Sequence, residues 1–196
     1  MKNIMLIGDS IMFGSAQTSG YGVIVKEMLK ESANIYIPPE NARFALYTLR
    51  YLENWIDSMP RDKMDIIHWN NLEWDIAEFY GDGPLTPLPF FIDTLRRIHK
   101  RLKLFFPNAH IIFATGTKVI EERSLANINF ERHNSIIEEY NKEAKKLMQE
   151  LEVDIDDLYE VSSHFSNEHY SDWVHPNYKG AKLLADSVVN SLEKYF

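Results

Sequence analysis

Apolar residues fall along this chain in two patterns. Short unbroken runs, such as Ile4-Met5-Leu6-Ile7, suit strands buried on both faces. Longer stretches repeat every three or four positions and suit helices with one buried stripe. The first pattern predicts strands over 3–7, 34–37, 64–69, 110–115 and 153–155. The second predicts helices over 23–30, 44–56, 90–105, 131–151 and 177–193. In the first of these helices Val23, Ile24, Met28 and Leu29 can share a face, and in the second Leu49, Leu52 and Ile56 do. Ile137, Tyr140, Ala144, Leu147 and Met148 form the stripe of the long fourth helix. Pro38-Pro39 stops the second strand, because proline cannot continue a central ladder. Pro176 opens the last helix, where a missing N–H costs little.

Strand and helix alternate throughout. That order predicts an α/β fold with a parallel sheet covered on both faces and right-handed crossovers. In such sheets functional groups gather at the carboxyl ends of the strands. Ser10, Asn41, Asn70-Asn71, Thr115-Gly116-Thr117 and the Asp172/His175 segment each follow a strand, so one edge collects the polar candidates.

The 196 residues, 45% of them hydrophobic, can bury one substantial core, and a single domain over 1–196 is expected. No apolar stretch approaches the roughly 20 residues that span a bilayer, so no membrane partner is expected. Met1-Lys2-Asn3 leads directly into a strand, which reads as cytoplasmic, or as secreted if a leader was removed. With no cysteine there is no thiolate nucleophile and no disulfide. A net charge of −8 argues against nucleic acid. The cluster Arg96-Arg97, Lys100-Arg101 and Lys103 alternates with Leu95, Ile98 and Leu102, as the solvated side of an amphipathic helix does.

Two short segments carry chemistry. The first strand ends abruptly at Gly8-Asp9-Ser10, and the last helix is preceded by Asp172-Trp173-Val174-His175-Pro176. A serine hydroxyl attacks a carbonyl at neutral pH only with an imidazole in reach and a carboxylate to orient that imidazole. Ser10, His175 and Asp172 supply one of each, the acid and the base lying three positions apart. The plainer reading is a helix cap at Asp9-Ser10 and a surface histidine at 175. Asp9 is expected to hold its loop by accepting backbone bonds, and His68, between apolar neighbours, to be a core histidine. His164, His169, Asp172 and His175 include zinc-ligand types, but their spacing lacks a compact pair, and no metal is expected.

On these motifs and the order of elements between them, the chain resembles the SGNH, or GDSL-like, hydrolase superfamily of esterases and lipases over essentially its whole length. The resemblance implies a three-layer α/β/α, flavodoxin-like fold with a five-stranded parallel sheet. It implies Ser10 as nucleophile, His175 as base, Asp172 as orienting acid, and no cofactor. It also implies an oxyanion hole, and there the chain departs from the family pattern. With Asp75 as anchor, the third-block glycine falls on Leu72 and its asparagine on Trp74; sliding the comparison puts Asn70 or Asn71 in the role. The second block lacks its glycine and has Asn41 in roughly that place. The expected donors are the Ser10 N–H, Asn41, and one of Asn70 and Asn71.

Trp74 and Trp173 are expected to line the substrate pocket, and residues 71–89 to form a lid or pocket wall. The absence of a strongly apolar lid favours a small-molecule or carbohydrate ester with a short acyl group. The alternative is a carbohydrate-binding pseudoenzyme with an impaired oxyanion hole. A nucleotide binder is disfavoured because Gly14, Gly20 and Gly22 are too spread out to cradle a phosphate.

Overall fold

The computed structural model describes residues 1–15, 18, 20–57, 59–125 and 130–196. Five parallel strands form one sheet: β1 (Lys2–Ile7), β2 (Ala33–Tyr36), β3 (Ile66–Asn70), β4 (His110–Ala114) and β5 (Asp154–Asp156), in the order β2-β1-β3-β4-β5. The register sets Ile7 beside Trp69, and Asn70 beside Ala114. The carboxyl ends of β1, β3 and β4 therefore finish together at one edge. β1 buries Ile4 to Ile7 completely, as a strand covered on both faces must.

The helices expected from the three-to-four-residue period are all present: α2 (Tyr21–Met28), α3 (Ala45–Trp55), α4 (Leu88–Phe105), α6 (Asn134–Glu150) and α8 (Tyr178–Glu193). α2 packs on α8, while α3 packs on α4 and α4 on α6, giving a helical layer on each side of the sheet. Three further helices are too short for the period to reveal: α1 (Ser10–Phe13), α5 (Glu121–Ser124) and α7 (Leu158–Ser163). The long helix starts at Asn134 rather than 131, because Glu131 instead bridges to Glu78. The face of α2 also differs from expectation. Val23 is 56% and Met28 39% exposed, whereas Tyr21, Ile24, Val25 and Leu29 are buried. The Tyr21 ring turns the helix inward, lying edge-on against His68.

His68 is the core histidine expected. Fully buried, it reaches across β4 to place Nε2 3.0 Å from Asp156 Oδ2, while the other carboxylate oxygen accepts from Ser187 on α8. Paired residues share a face of a sheet, and the small Ala114 between Asn70 and Asp156 leaves room on that face. Removing the acceptor strands a buried imidazole. Asp156→Ala is expected to cost about 3 kcal/mol of stability, read as a lower urea midpoint at unchanged m-value.

Residues 71–89 do not form a detached lid. Leu72, Ile76 and Ala77 are buried in the core, while Tyr80 at the tip is 79% exposed and Leu85 beyond it 46%. Asp75 fastens the base of the segment: both carboxylate oxygens accept from the Ala45 N–H at the start of α3. Burial raises that carboxyl to about 7. No helix among the described residues is long and apolar enough to cross a membrane.

Candidate active site

The position of Ser10 is set by the residue before it. Asp9 is the N-cap of α1, its Oδ1 accepting from the Ile11 N–H at 3.0 Å. The cap is therefore Asp9, and the Ser10 hydroxyl is left free. Gly8 is required because a Cβ there would lie 2.3 Å from Asn70 Oδ1 and 2.6 Å from Met12 Cβ. This close approach lets Asn70 Oδ1 accept from the Asp9 N–H at 3.2 Å and ties the turn to the end of β3.

The distant segment delivers the other two groups. Asp172 folds its own turn, with Oδ1 accepting from the N–H groups of Val174 at 2.8 Å and His175 at 2.7 Å. Its Oδ2 lies 2.7 Å from His175 Nδ1, and His175 Nε2 lies 2.9 Å from Ser10 Oγ. Burial alone would raise the Asp172 carboxyl; the imidazole and backbone N–H bonds outweigh it and hold that carboxyl below the ordinary carboxylate range. An ionised carboxylate only accepts, so Nδ1 carries the proton and Nε2 is left to accept from the serine. The His175 and Asp172 side chains are 21% and 31% exposed, open enough for a substrate to reach them.

The three asparagines expected as oxyanion donors part company here. Asn71 has no N–H to offer: its amide donates to Arg43 O and Thr48 Oγ1, and its carbonyl accepts the Trp69 indole N–H at 2.8 Å. Asn41 closes a turn, its Oδ1 accepting from the Arg43 N–H. Asn70 is buried, and its Nδ2 has no hydrogen-bond partner among the described residues. The Ser10 N–H stands in the first turn of α1, where no intrahelical carbonyl claims it. Leu72 fills the third-block glycine position and turns into the core, with Gly116 making room: a Cβ there would lie 2.1 Å from Leu72 Cδ2.

Of the two expected pocket tryptophans, Trp74 is half-buried and stands edge-on to Phe130, which also meets Phe79. Trp173 packs against the core, and its carbonyl accepts from the Ile120 N–H, so it braces the Asp172 turn. The histidines of the zinc reading disperse: His164 pairs with Glu160, and His169 accepts from the Ser166 N–H. Among the described residues no three His, Asp or Glu side chains are gathered to hold a metal. Gly20 presses on Met12 of α1, a packing contact.

A buried charge cluster beneath the turn went unnoticed in the sequence. Asp9, Glu73 and Arg132 are 0%, 1% and 2% exposed. Burial raises the Asp9 carboxyl, opposed by N–H bonds from Ile11 and Glu73, and raises Glu73 to about 8 against the pull of Arg132.

Comparisons with known proteins bear on the fold that holds this site. No family model matches the chain. It is 22% identical over 204 residues to the GDSL esterase/lipase CPRD49 of Arabidopsis thaliana, covering 97% of this chain and 78% of that protein. To the GDSL esterase/lipase WDL1 of Oryza sativa subsp. japonica it is 23% identical over 201 residues, covering 97% and 77%. The chain is similar to GDSL-like hydrolases of the SGNH superfamily. Both of these relatives are named as esterases or lipases. The fold of the chain matches the acetyl xylan esterase AlAXEase with a TM-score of 0.77 at 17% identity, over 97% of this chain and 99% of that one. It matches a carbohydrate esterase family 3 structure from Talaromyces cellulolyticus with a TM-score of 0.72 at 19% identity, over 99% and 97%.

Proposed function

We propose that this protein removes short acyl groups, acetyl first among them, from a carbohydrate or another small alcohol through an acyl-enzyme on Ser10. The observation that carries the reading is the continuous chain from Asp172 Oδ2 through His175 to Ser10 Oγ, at 2.7 and 2.9 Å. In this mechanism His175 Nε2 takes the Ser10 proton as Oγ attacks the ester carbonyl, and Asp172 stabilises the imidazolium that results. His175 then gives the proton to the departing alcohol. Water, deprotonated by the same nitrogen, releases the acid. No step calls for a metal or a cofactor. The acetyl preference is supported by the carbohydrate-esterase fold relatives and by the packed base of residues 71–89, which offers no loose apolar lid.

The developing oxyanion is assigned to the Ser10 N–H and Asn70 Nδ2, the asparagine amide without a hydrogen-bond partner among the described residues. Asn70→Ala is expected to lower kcat about 10²- to 10³-fold. Asn71→Ala is expected to lower the melting temperature while leaving kcat per active Ser10 nearly unchanged, since its amide is spent on Arg43 and Thr48.

The deciding experiment measures hydrolysis of p-nitrophenyl acetate, butyrate and octanoate and of acetylated xylo-oligosaccharides, with a fluorophosphonate label located by peptide mass. Turnover falling with acyl length and label on Ser10 are expected. The Asn70 amide lies beneath the Gly8 turn, away from solvent, and this favours a second reading. Folded protein that binds the oligosaccharides with neither turnover nor label would establish the binding-module alternative instead.

A further inference from the structure

Glu73 is joined to the site through all three of its polar parts. Its backbone N–H donates to Asp9 Oδ2 at 3.3 Å, the other oxygen of the carboxylate that caps the nucleophile's helix. Its backbone carbonyl accepts from Arg132 Nε at 2.7 Å. Its side-chain Oε1 accepts from the Thr117 N–H at 2.9 Å, in the loop after β4. One residue therefore connects the turn after β1, the loop after β4 and the segment leading into α6. Arg132 also lies between charges: its guanidinium is drawn to Glu73, Asp9 and the triad's own Asp172.

From this geometry we infer that Glu73 and Arg132 are a buried positioning pair, which holds Asp9 and through it sets the Ser10 hydroxyl against His175. The inference rests on the acyl-enzyme reading above. Neither residue touches the reacting atoms, and their effect passes entirely through the orientation of Asp9 and the Gly8-Asp9-Ser10 turn. Misplacing a nucleophile by about 1 Å can cost on the order of 10²-fold in rate, so a brace this close to Ser10 acts on kcat rather than on substrate affinity. The groups facing Glu73 are Asp9 from the first turn, Arg132 from the segment before α6, Thr117, Tyr159 on α7 and Tyr170 beyond it. In this company burial raises the Glu73 carboxyl to about 8, against the pull of Arg132 and the Thr117 hydrogen bonds. A glutamine of the same shape keeps an oxygen that can accept from the Thr117 N–H, and should therefore serve in its place.

The test compares Glu73→Gln, Glu73→Ala, Arg132→Lys and Arg132→Gln, with rates normalised to Ser10 titrated by fluorophosphonate, so that unfolded material does not count. Glu73→Gln is expected to keep kcat within about threefold of wild type. Glu73→Ala and Arg132→Gln are expected to lose roughly ten- to hundredfold in kcat at KM within about twofold, with Arg132→Lys between. Crystal structures of the two impaired variants should show Ser10 Oγ and His175 Nε2 beyond hydrogen-bond range, about 3.2 Å. Unchanged kcat per titrated serine, losses confined to KM or to the folded fraction, or an intact Ser10–His175 bond in the impaired variants would overturn the inference. Wild-type protein without turnover or label fails the acyl-enzyme reading itself, and the crystallographic distance still decides whether the pair positions Ser10.

Discussion

Alanine in place of Ser10 is expected to lower kcat for p-nitrophenyl acetate by roughly 10⁴- to 10⁶-fold and to abolish fluorophosphonate labelling. The size of the loss follows from what remains. Without Oγ, His175 has no proton to take and no acyl-enzyme forms, so only binding and any oxyanion donors act on direct attack by water. The fold should survive, because the cap of α1 is the Asp9 carboxylate and not the serine. Only the Ser10–His175 hydrogen bond is lost, and the melting temperature should shift by no more than about 4 °C. Circular dichroism melting beside the rate assay separates the two effects. A variant that melts like wild type and still hydrolyses at a comparable rate would place the nucleophile elsewhere.

How much of this was legible in the sequence depends on how far apart the deciding residues stand. The Asp172-x-x-His175 pair is local, and its turn is built by Asp172's own carboxylate, so spacing alone pointed to it. Ser10 was legible through the abrupt end of an apolar strand. The choice between Asn70 and Asn71 was not, because it turns on where β3 ends. With the strand continuing through Asn70, alternation puts Asn70 on the His68 face, toward Gly8, and leaves Asn71 to the Trp69 indole. One residue's difference in a strand boundary exchanges the two roles. Glu73 and Arg132 meet across 59 positions and carry no local pattern. The helices of α1, α5 and α7 were hidden for a simpler reason: four to six residues do not complete two turns, so no stripe repeats. The face of α2 was misjudged because Tyr21, with its long ring, extends the buried stripe beyond the expected start and rotates Val23 outward.

Asparagine at position 172 is expected to lower kcat/KM about 10⁴-fold while leaving the fold in place, and this follows from the separate tasks of the two carboxylate oxygens. Oδ1 holds the backbone N–H groups of Val174 and His175, and an asparagine oxygen can take over that task. The amide nitrogen then stands where Oδ2 was, 2.7 Å from His175 Nδ1. Because it donates, Nδ1 must accept, the ring proton moves to Nε2, and the nitrogen facing Ser10 can no longer receive its proton. The pH dependence separates this from general destabilisation. The folded-state carboxyl of Asp172 is depressed, so its contribution to stability is present above the ordinary aspartate value of about 3.9 and disappears as pH falls through the lower folded value. The part of the stability difference between wild type and Asp172→Asn that rests on the carboxylate should therefore close as pH falls below about 4. Asp172 stays ionised from pH 5 to 8, so a loss of activity within that window is not due to its protonation. Urea titrations at several pH values, run beside rate profiles, check both parts. A gap in stability that stayed fully open in strong acid, or an asparagine variant within tenfold of wild-type activity, would remove Asp172 from the role of orienting acid.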